Sequence, residues 1–175
     1  MKANVKGQAK VGILMGSDSD LEVMQEAEKR LQFFGVPYEV NILSAHRSSA
    51  KTMEYARSAQ RRGIEVVIAG AGAAAHLAGV IAGNTILPVI GVPLDATALR
   101  GMDALLATVQ MPAGVPVATM ALGKAGAANA GIFAAQILAR KDRRLSAKLD
   151  RFKEEMVRGV EQKNKILKRD KGKGR

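Results

Sequence analysis

The segment KVGILMGSDSD, residues 10–20, decides the fold. Its first six residues form an apolar run that predicts a β-strand, and the Gly, Ser and Asp residues after it predict a loop. Apolar residues then recur at spacings of three and four from Leu21 to Phe34, which predicts an amphipathic helix that ends at Gly35. A strand, a short loop and a helix in this order form the first half of a βαβ unit.

The chain repeats this alternation as far as residue 139. Further strands are predicted at Tyr38–Leu43, Glu65–Ala69, Ile86–Ile90 and Val115–Ala121. Further helices are predicted from Ser48 or Ser49 to Arg62, with Gly63 as the stop, and at His76–Gly83, Gly101–Val109 and Ala125–Ala139. The pattern predicts that residues 1–139 form an α/β domain with a central parallel sheet covered by helices on both faces.

The last part of the chain differs in charge. Residues 140–175 hold 15 Lys and Arg against 6 Asp and Glu, whereas residues 1–139 hold 12 against 10. Helical spacing predicts an amphipathic extension over residues 140–167, with an apolar stripe made of Leu145, Leu149, Phe152, Met156 and Val160. This stripe could dock on the domain or on another subunit. Residues 168–175 have no apolar side chain and are predicted to be a frayed basic tail.

Composition narrows the class of protein. The 175 residues fit one domain, and an aromatic content of 3% with no Trp requires an aliphatic core. The absence of Cys excludes disulfides, thiolate metal sites and a Cys nucleophile, and it fits a cytoplasmic address. Residues 1–10 lack the apolar core of a signal peptide, and no apolar run is long enough to span a membrane. The basic tail lacks interleaved aromatic residues, so nucleic acid is not an expected partner.

The first candidate site is the loop Gly16-Ser17-Asp18-Ser19-Asp20. Gly16 allows a ligand to approach closely, and the serines with the free N–H groups of the helix start suit a phosphate. Because a carboxylate repels a phosphate, Asp18 or Asp20 is better suited to sugar hydroxyls. The alternative is a simple helix cap with an acidic first turn. No second carboxylate cluster is evident, so no metal site is predicted.

The second candidate site is the loop Ser44-Ala45-His46-Arg47, after the second predicted strand. Imidazole takes and gives a proton near neutral pH, so His46 is the candidate acid–base. Arg47 offers a planar set of donors for a phosphate or carboxylate, and Ser44 could orient the ring or bind phosphate. The alternative is that His46 is an ordinary surface histidine.

The third candidate site is the loop GAGAAAH, residues 70–76, after the third predicted strand. It matches the dinucleotide pattern G-x-G-x-x-A only superficially, because it lies in the wrong βα unit. Its small residues suit a platform for a flat ligand ring or, alternatively, close helix–sheet packing, and His76 either lines the pocket or only faces it. All three loops leave one edge of the sheet. Together their donors, acceptors and acid–base group fit a ribonucleotide.

Six motifs in this order carry a family resemblance: MGS-x-SD (15–20), SAHR (44–47), AGAG-x-AAHL (69–77), GVP (91–93), QMP-x-G-x-PV (110–117) and GKAGAANA (123–130). From about residue 11 to residue 139 the chain closely resembles class I N5-carboxyaminoimidazole ribonucleotide mutase. This family is also described as the catalytic subunit of phosphoribosylaminoimidazole carboxylase.

The resemblance implies a flavodoxin-like three-layer sandwich, a homo-octamer, and no metal, ATP or organic cofactor. It implies conversion of N5-carboxyaminoimidazole ribonucleotide to 4-carboxy-5-aminoimidazole ribonucleotide in de novo purine (IMP) biosynthesis. It also implies a functional link to the ATP-dependent synthetase that makes the substrate. In the family's mechanism His46 would protonate N5 as CO2 leaves, and would take the C4 proton after C4 has attacked the trapped CO2.

The resemblance also assigns the binding residues. Ser17, Ser19, Ser44 and Arg47 would hold the phosphate and neighbouring groups, Asp20 the ribose hydroxyls, and Ala71, Gly72, His76 and Leu77 would surround the base and the CO2 pocket. Two departures stand out, since Ser48-Ser49 replaces Thr-Pro and Ala78 replaces the proline of His-Leu-Pro-Gly. Loss of that second proline predicts a looser pocket loop.

Two other functions stay open. One is the class II enzyme of the same fold, which carboxylates aminoimidazole ribonucleotide with CO2 directly. The other is a non-catalytic protein that binds nucleotides or RNA, in which the basic tail dominates.

Overall fold

The computed structural model describes residues 7–172, with side chains as far as residue 169. The chain divides into two compact units, Met1–Ile137 and Leu138–Arg175. The predictions that concern residues 1–6 and 173–175 lie outside the described residues. No helix in the described part is both long enough and apolar enough to cross a membrane.

The first unit alternates strands with helices. Its strands are β1 Val11–Met15, β2 Tyr38–Ile42, β3 Val66–Gly72, β4 Val89–Leu94 and β5 Ala118–Thr119. Its helices are α1 Leu21–Phe34, α2 Ser49–Ala59, α3 Leu77–Ala82, α4 Met102–Val109 and α5 Gly123–Ala139, whose last residues belong to the second unit. Short 3₁₀ turns, Asp18–Asp20 and Gln60–Arg62, precede α1 and follow α2.

The strands form one sheet in the order β2-β1-β3-β4-β5, and every neighbouring pair is parallel. β1 pairs with β3 from Val11 opposite Val66 to Met15 opposite Gly70. This strand order is that of a flavodoxin-like sandwich, so the predicted α/β class and architecture are confirmed. The chain leaves β1 and β3 towards opposite edges of the sheet, and ligands bind in the crevice that such a reversal opens at the carboxyl ends of the strands.

The core of the first unit is aliphatic, as the composition predicted. β1 is buried along its whole length, and Ile13, Leu14 and Met15 have no exposed surface. The two tyrosines of the chain, Tyr38 and Tyr55, are also buried. Burial raises the pKa of both phenols, because a buried phenolate loses its hydration.

The fourth strand is displaced from its predicted position, Ile86–Ile90. The Thr85 hydroxyl accepts a hydrogen bond from the Leu87 N–H at 3.2 Å, which holds this part of the chain in a turn. The side chain of Ile86 is 86% exposed. The strand instead covers Val89–Leu94 and includes Gly91 and Pro93.

The third and fifth strands also differ from their predictions. β3 extends to Gly72, so the first three residues of the predicted GAGAAAH loop belong to the strand. β5 covers only Ala118–Thr119 instead of Val115–Ala121, because Pro116 has no N–H to give to the sheet. The predicted helix ends at Gly35 and Gly63 are confirmed, with left-handed φ angles of 75° and 89°.

The second unit consists mainly of α6, Arg143–Gly172. Asp142 caps this helix, since its Oδ1 accepts hydrogen bonds from two N–H groups of the first turn at 2.8 and 3.1 Å. Leu145 and Leu149 are buried, whereas Met156 is 50% exposed. The predicted amphipathic helix is confirmed. The backbone of α6 is helical as far as Gly172, whereas the sequence predicted a frayed tail from residue 168 onwards.

Candidate functional site

A cavity of about 320 Å³ lies at the carboxyl ends of β1, β2 and β3. Its lining comes from the three predicted loops and from one alanine after β4: Gly16, Ser17, Ser19, Asp20, Ser44, Ala45, His46, Arg47, Ala71, Gly72, Ala73, Ala74, Leu77 and Ala96. Every predicted site residue except His76 contributes to this lining. The ring of His76 contacts the ring of His46, which lines the cavity.

The loop after β1 is both a cap and a cavity wall. The Ser17 Oγ accepts a hydrogen bond from the Ser19 N–H at 3.3 Å, and the Asp20 Oδ2 accepts one from the Ser17 N–H at 3.1 Å. These reciprocal bonds form a capping box. Because the same side chains line the cavity, the capping alternative and a ligand-binding role coexist.

Asp20 is held partly away from water. Burial raises the pKa of its carboxyl, and this effect outweighs the hydrogen bonds from Ser17, Ser19 and Gly16 that favour the carboxylate. The charge of Arg47 also favours the carboxylate. A carboxylate that is poorly hydrated gains from new donors, such as the hydroxyl groups of a sugar.

Arg47 joins the loop after β2 to the loop after β1. One terminal nitrogen of its guanidinium donates to the Gly16 carbonyl at 2.8 Å. The Ser44 Oγ accepts from the Arg47 backbone N–H at 3.1 Å and lies 3.5 Å from its Nε. Ser44 therefore orients Arg47 and makes no hydrogen bond with the imidazole of His46. Since a guanidinium has five N–H donors, several remain for an anionic ligand.

Further hydrogen bonds hold the His46 loop at its base. Helix α2 begins at Ser49, one of the two predicted starts, and Ser48 is its N-cap residue, but the Ser48 side chain makes no capping hydrogen bond. Its Oγ instead accepts from the Ser44 N–H at 2.9 Å and donates to the Ser44 carbonyl at 3.1 Å. The hydroxyl of the buried Thr52 donates to the same carbonyl at 3.1 Å. The backbone that carries His46 is therefore tied to the start of α2.

The two histidines of the chain contact each other. The Nε2 of His46 lies 2.9 Å from the Nδ1 of His76. The ring centroids are 5.0 Å apart and the ring planes are inclined at 81°. His76 stands between Ala75 and Leu77, which are 1% and 2% exposed, so buried neighbours on both sides fix its place. A pair of imidazoles at the cavity edge can move protons.

The end of β3 needs small residues. A Cβ added at Gly72 would lie closer than 3.0 Å to the Cβ of Ala96, and one added at Gly70 would overlap the side chain of Met24. Ala73 follows with φ 52°, a left-handed conformation that is strained for alanine. Both alternatives for this loop therefore hold, because its small residues pack tightly and also line the cavity.

Ala78, where the family pattern has proline, lies in the first turn of α3. It is 2% exposed and belongs to the hydrophobic core of the first unit. The looser pocket loop expected from the loss of that proline stays a prediction.

Ala96 was missed by the sequence analysis. It follows β4, whose predicted end at Ile90 fell short of the true end at Leu94. The GVP motif at residues 91–93 was the available signal, since a strand drawn through it puts the next residues at the same sheet edge as the other three loops.

The cavity combines one cation, one carboxylate, several hydroxyls and a proton-transfer group. Arg47 and the serines suit a phosphate, Asp20 suits a polyol, and the alanine and leucine surfaces suit a flat ring. Across residues 7–169, the side chains form no group of three or more His, Asp or Glu that could hold a metal ion.

This chain is similar in sequence and in fold to known proteins. Residues 10–159 match the family model described as AIR carboxylase. The N5-carboxyaminoimidazole ribonucleotide mutase of Pyrococcus horikoshii is 56% identical over 90% of this chain and 88% of its own length. Proteins of the same name from Bacillus subtilis and Mycobacterium leprae are 57% identical over 84% of this chain and 91% of theirs, and 51% identical over 95% and 96%.

A solved structure supports the architecture. The crystal structure of Treponema denticola PurE superposes with a TM-score of 0.82, covering 90% of this chain and 98% of that chain at 24% identity. At that identity the likeness supports the fold alone.

Proposed function

Because the chain belongs to the AIR carboxylase family, we propose that it acts as an N5-carboxyaminoimidazole ribonucleotide mutase, an isomerase of de novo purine biosynthesis. The observation that carries this proposal is the presence of His46, Arg47 and Asp20 in one cavity. That set answers the three needs of such a substrate, which are proton transfer, phosphate binding and ribose binding.

In the proposed reaction, His46 is the proton shuttle. The bond between N5 and the carboxylate carbon breaks, its electron pair stays on N5, and His46 protonates N5 as CO2 leaves. C4 of the ring then forms a bond to the carbon of CO2, and His46 takes the proton that C4 loses. One proton leaves the imidazole and one returns, so the cycle balances without a cofactor.

The rest of the cavity would hold the substrate. Arg47 and the hydroxyls of Ser17, Ser19 and Ser44 would bind the phosphate and neighbouring groups, and Asp20 the ribose hydroxyls. Ala71, Gly72 and Leu77 would lie against the base and the CO2, which has no charge and suits an apolar surface. The support for these roles is that all of these residues line the same cavity.

The decisive experiment is the isomerisation assay on the wild type and on His46→Asn. We expect wild-type turnover without ATP or added bicarbonate, and a loss of about 100-fold or more in kcat for the variant, because general acid–base catalysis contributes about 10²–10⁴-fold. Product binding by calorimetry should persist, since the His46 ring is not part of the buried core. A variant that turns over at the wild-type rate would contradict the shuttle.

A label separates the mutase from the carboxylase that uses CO2 directly. With unlabelled substrate in ¹³C-bicarbonate buffer, a mutase that keeps its CO2 in the cavity gives unlabelled product. Rapid entry of ¹³C into the C4 carboxylate would favour the carboxylase. The names of the relatives favour neither this alternative nor a non-catalytic RNA-binding protein.

The proposal extends to assembly and address. We propose a cytoplasmic homo-octamer, linked in function to the synthetase that makes the substrate. Apolar side chains on and before α4 support subunit contacts, because Leu99, Met102, Leu106 and Val109 are each at least 50% exposed. Light scattering should give a mass eight times that of the 18.5 kDa chain, and the mass of a single chain would refute the assembly.

A further inference from the structure

We propose that His76 is a positioning residue for His46: its Nδ1 accepts the Nε2–H of His46 and so confines proton exchange with the substrate to the Nδ1 of His46. This inference rests on the proposed function, since it gives a partner to the histidine that shuttles the proton.

Geometry supports a role that acts through His46. The 2.9 Å separation of the two nitrogens is that of a direct hydrogen bond. Among the described residues, the His46 ring has no hydrogen-bond partner other than His76. His76 does not line the cavity, and its exposed ring meets the cavity edge through His46, so it is placed to orient that imidazole.

The hydrogen bond decides which nitrogen is reactive. A neutral imidazole carries one proton, so a shared bond between two neutral rings has two arrangements. If His46 donates from Nε2, its Nδ1 is bare and can accept a proton. If His76 donates instead, the single proton of a neutral His46 sits on Nδ1, and neither nitrogen is free to accept the proton from C4.

Only the first arrangement serves both halves of the reaction. Charged His46 carries a proton on each nitrogen, gives up the one on Nδ1 to N5, and keeps Nε2–H bonded to His76. The bare Nδ1 then accepts the C4 proton and restores the charged ring. An orienting acceptor on the far nitrogen is the device by which the third member of a catalytic triad fixes its histidine.

The anchoring of the His76 backbone also fits a positioning role. Its buried neighbours Ala75 and Leu77 anchor the backbone, and its side chain makes no capping bond to α3. Removing the imidazole therefore takes away a partner of His46 without removing a core side chain. The melting temperature of a His76 variant should remain near that of the wild type.

The test compares His76→Leu with His76→Asn, whose amide oxygen can stand in for Nδ1 as the acceptor. We expect His76→Leu to lower kcat by about 10-fold to 100-fold, the usual cost of removing an orienting partner, with KM changed by less than about twofold. His76→Asn should recover most of the lost kcat. A kcat equal to that of the wild type, a proportional rise in KM, or no recovery with Asn would overturn the proposal.

Two further measurements exclude a merely structural role. Because the chain has only two histidines, ¹⁵N spectra should resolve their ring nitrogens, with neutral His46 as the Nε2–H tautomer in the wild type and as a mixture of tautomers in His76→Leu. Combining His76→Leu with His46→Asn should cost no more than His46→Asn alone, since His76 acts only through His46. An unchanged tautomer or additive losses would overturn the role of His76.

The same experiments keep the two proposals apart. If the wild type fails to isomerise the substrate, the proposed function itself fails. If the wild type is active and His46→Asn is not, but His76→Leu matches the wild type, only the role of His76 fails.

Discussion

A methyl group added at Gly72 tests whether the tight contact between β3 and the loop after β4 shapes the cavity. In Gly72→Ala the new Cβ would lie closer than 3.0 Å to the Cβ of Ala96 and 3.3 Å from the Leu94 carbonyl oxygen. Carbon atoms pack at about 3.5–4.0 Å, so the overlap with Ala96 is at least about half an ångström. Both methyl carbons are fixed directly to the backbone, so no side-chain rotation relieves it.

The backbone must therefore move, and this movement lowers the free energy of unfolding. Overpacking of a close-packed interior costs about 1–3 kcal/mol. For a chain of this length each kcal/mol corresponds to about 2–4 °C, so the melting temperature of Gly72→Ala should fall by about 2–12 °C. Because Gly72 and Ala96 both line the cavity, we also expect weaker substrate binding.

The assay is thermal denaturation together with isomerisation kinetics on matched variants. Gly16→Ala is the control for thermal stability, because it lies on the same cavity but its added Cβ would meet only the Asp20 Oδ2, at 3.9 Å. In the double variant Gly72→Ala/Ala96→Gly the opposing methyl is gone, so most of the lost stability should return. The contact with Leu94 makes the recovery incomplete.

Two results would refute this reasoning. If Gly72→Ala melts at the wild-type temperature, β3 and the loop after β4 are not in tight contact. If Ala96→Gly does not rescue it, the cost arises elsewhere, since residues in contact show coupling energies of about 0.5–3 kcal/mol.

Two other substitutions probe the binding side chains. Asp20→Asn removes a carboxyl whose pKa is raised in the folded protein by burial. The stability of the wild type therefore falls as pH rises through the window above the ordinary pKa of 3.8. At neutral pH the variant should melt higher than the wild type, with no difference below that window. The same variant should raise KM by about 10-fold or more through weaker ribose binding, and a lower melting temperature at neutral pH would contradict the argument. Arg47→Lys should raise KM by about 10-fold with little change in kcat, because an ammonium cannot both donate to the Gly16 carbonyl and present a planar pair of donors to a phosphate. Wild-type KM in Arg47→Lys would show that a point charge is enough.

The sequence predicted the site loops because parallel strands share one edge. The loops after β1, β2 and β3 could be brought together from the strand pattern alone, with no knowledge of distances. The strand after them could not be placed well, since the β-branched residues near Ile86 and Ile90 resemble a strand while Gly91 and Pro93 resemble a loop. Tertiary context left Ile86 outside the strand and placed Gly91 inside it, because the sheet tolerates small residues where α4 packs closely against β4.

The contacts between the loops could not be predicted from the sequence. The hydrogen bond from Arg47 to the Gly16 carbonyl and the approach of His46 to His76 depend on how far each loop leans over the sheet edge. Hydropathy and spacing carry no such information. The motif SAHR therefore predicted the residue types of the site but not the partners that orient them.

The burial of both tyrosines gives this protein an internal optical reporter. With no Trp, its near-ultraviolet absorption comes mainly from Tyr38 and Tyr55. Because burial raises the pKa of both phenols, each ionises at a higher pH than a free tyrosine, and the shift is large for Tyr55. In strong alkali the phenolate signal of Tyr55 will consequently appear together with the collapse of the structure, and this part of the absorbance change will follow denaturation.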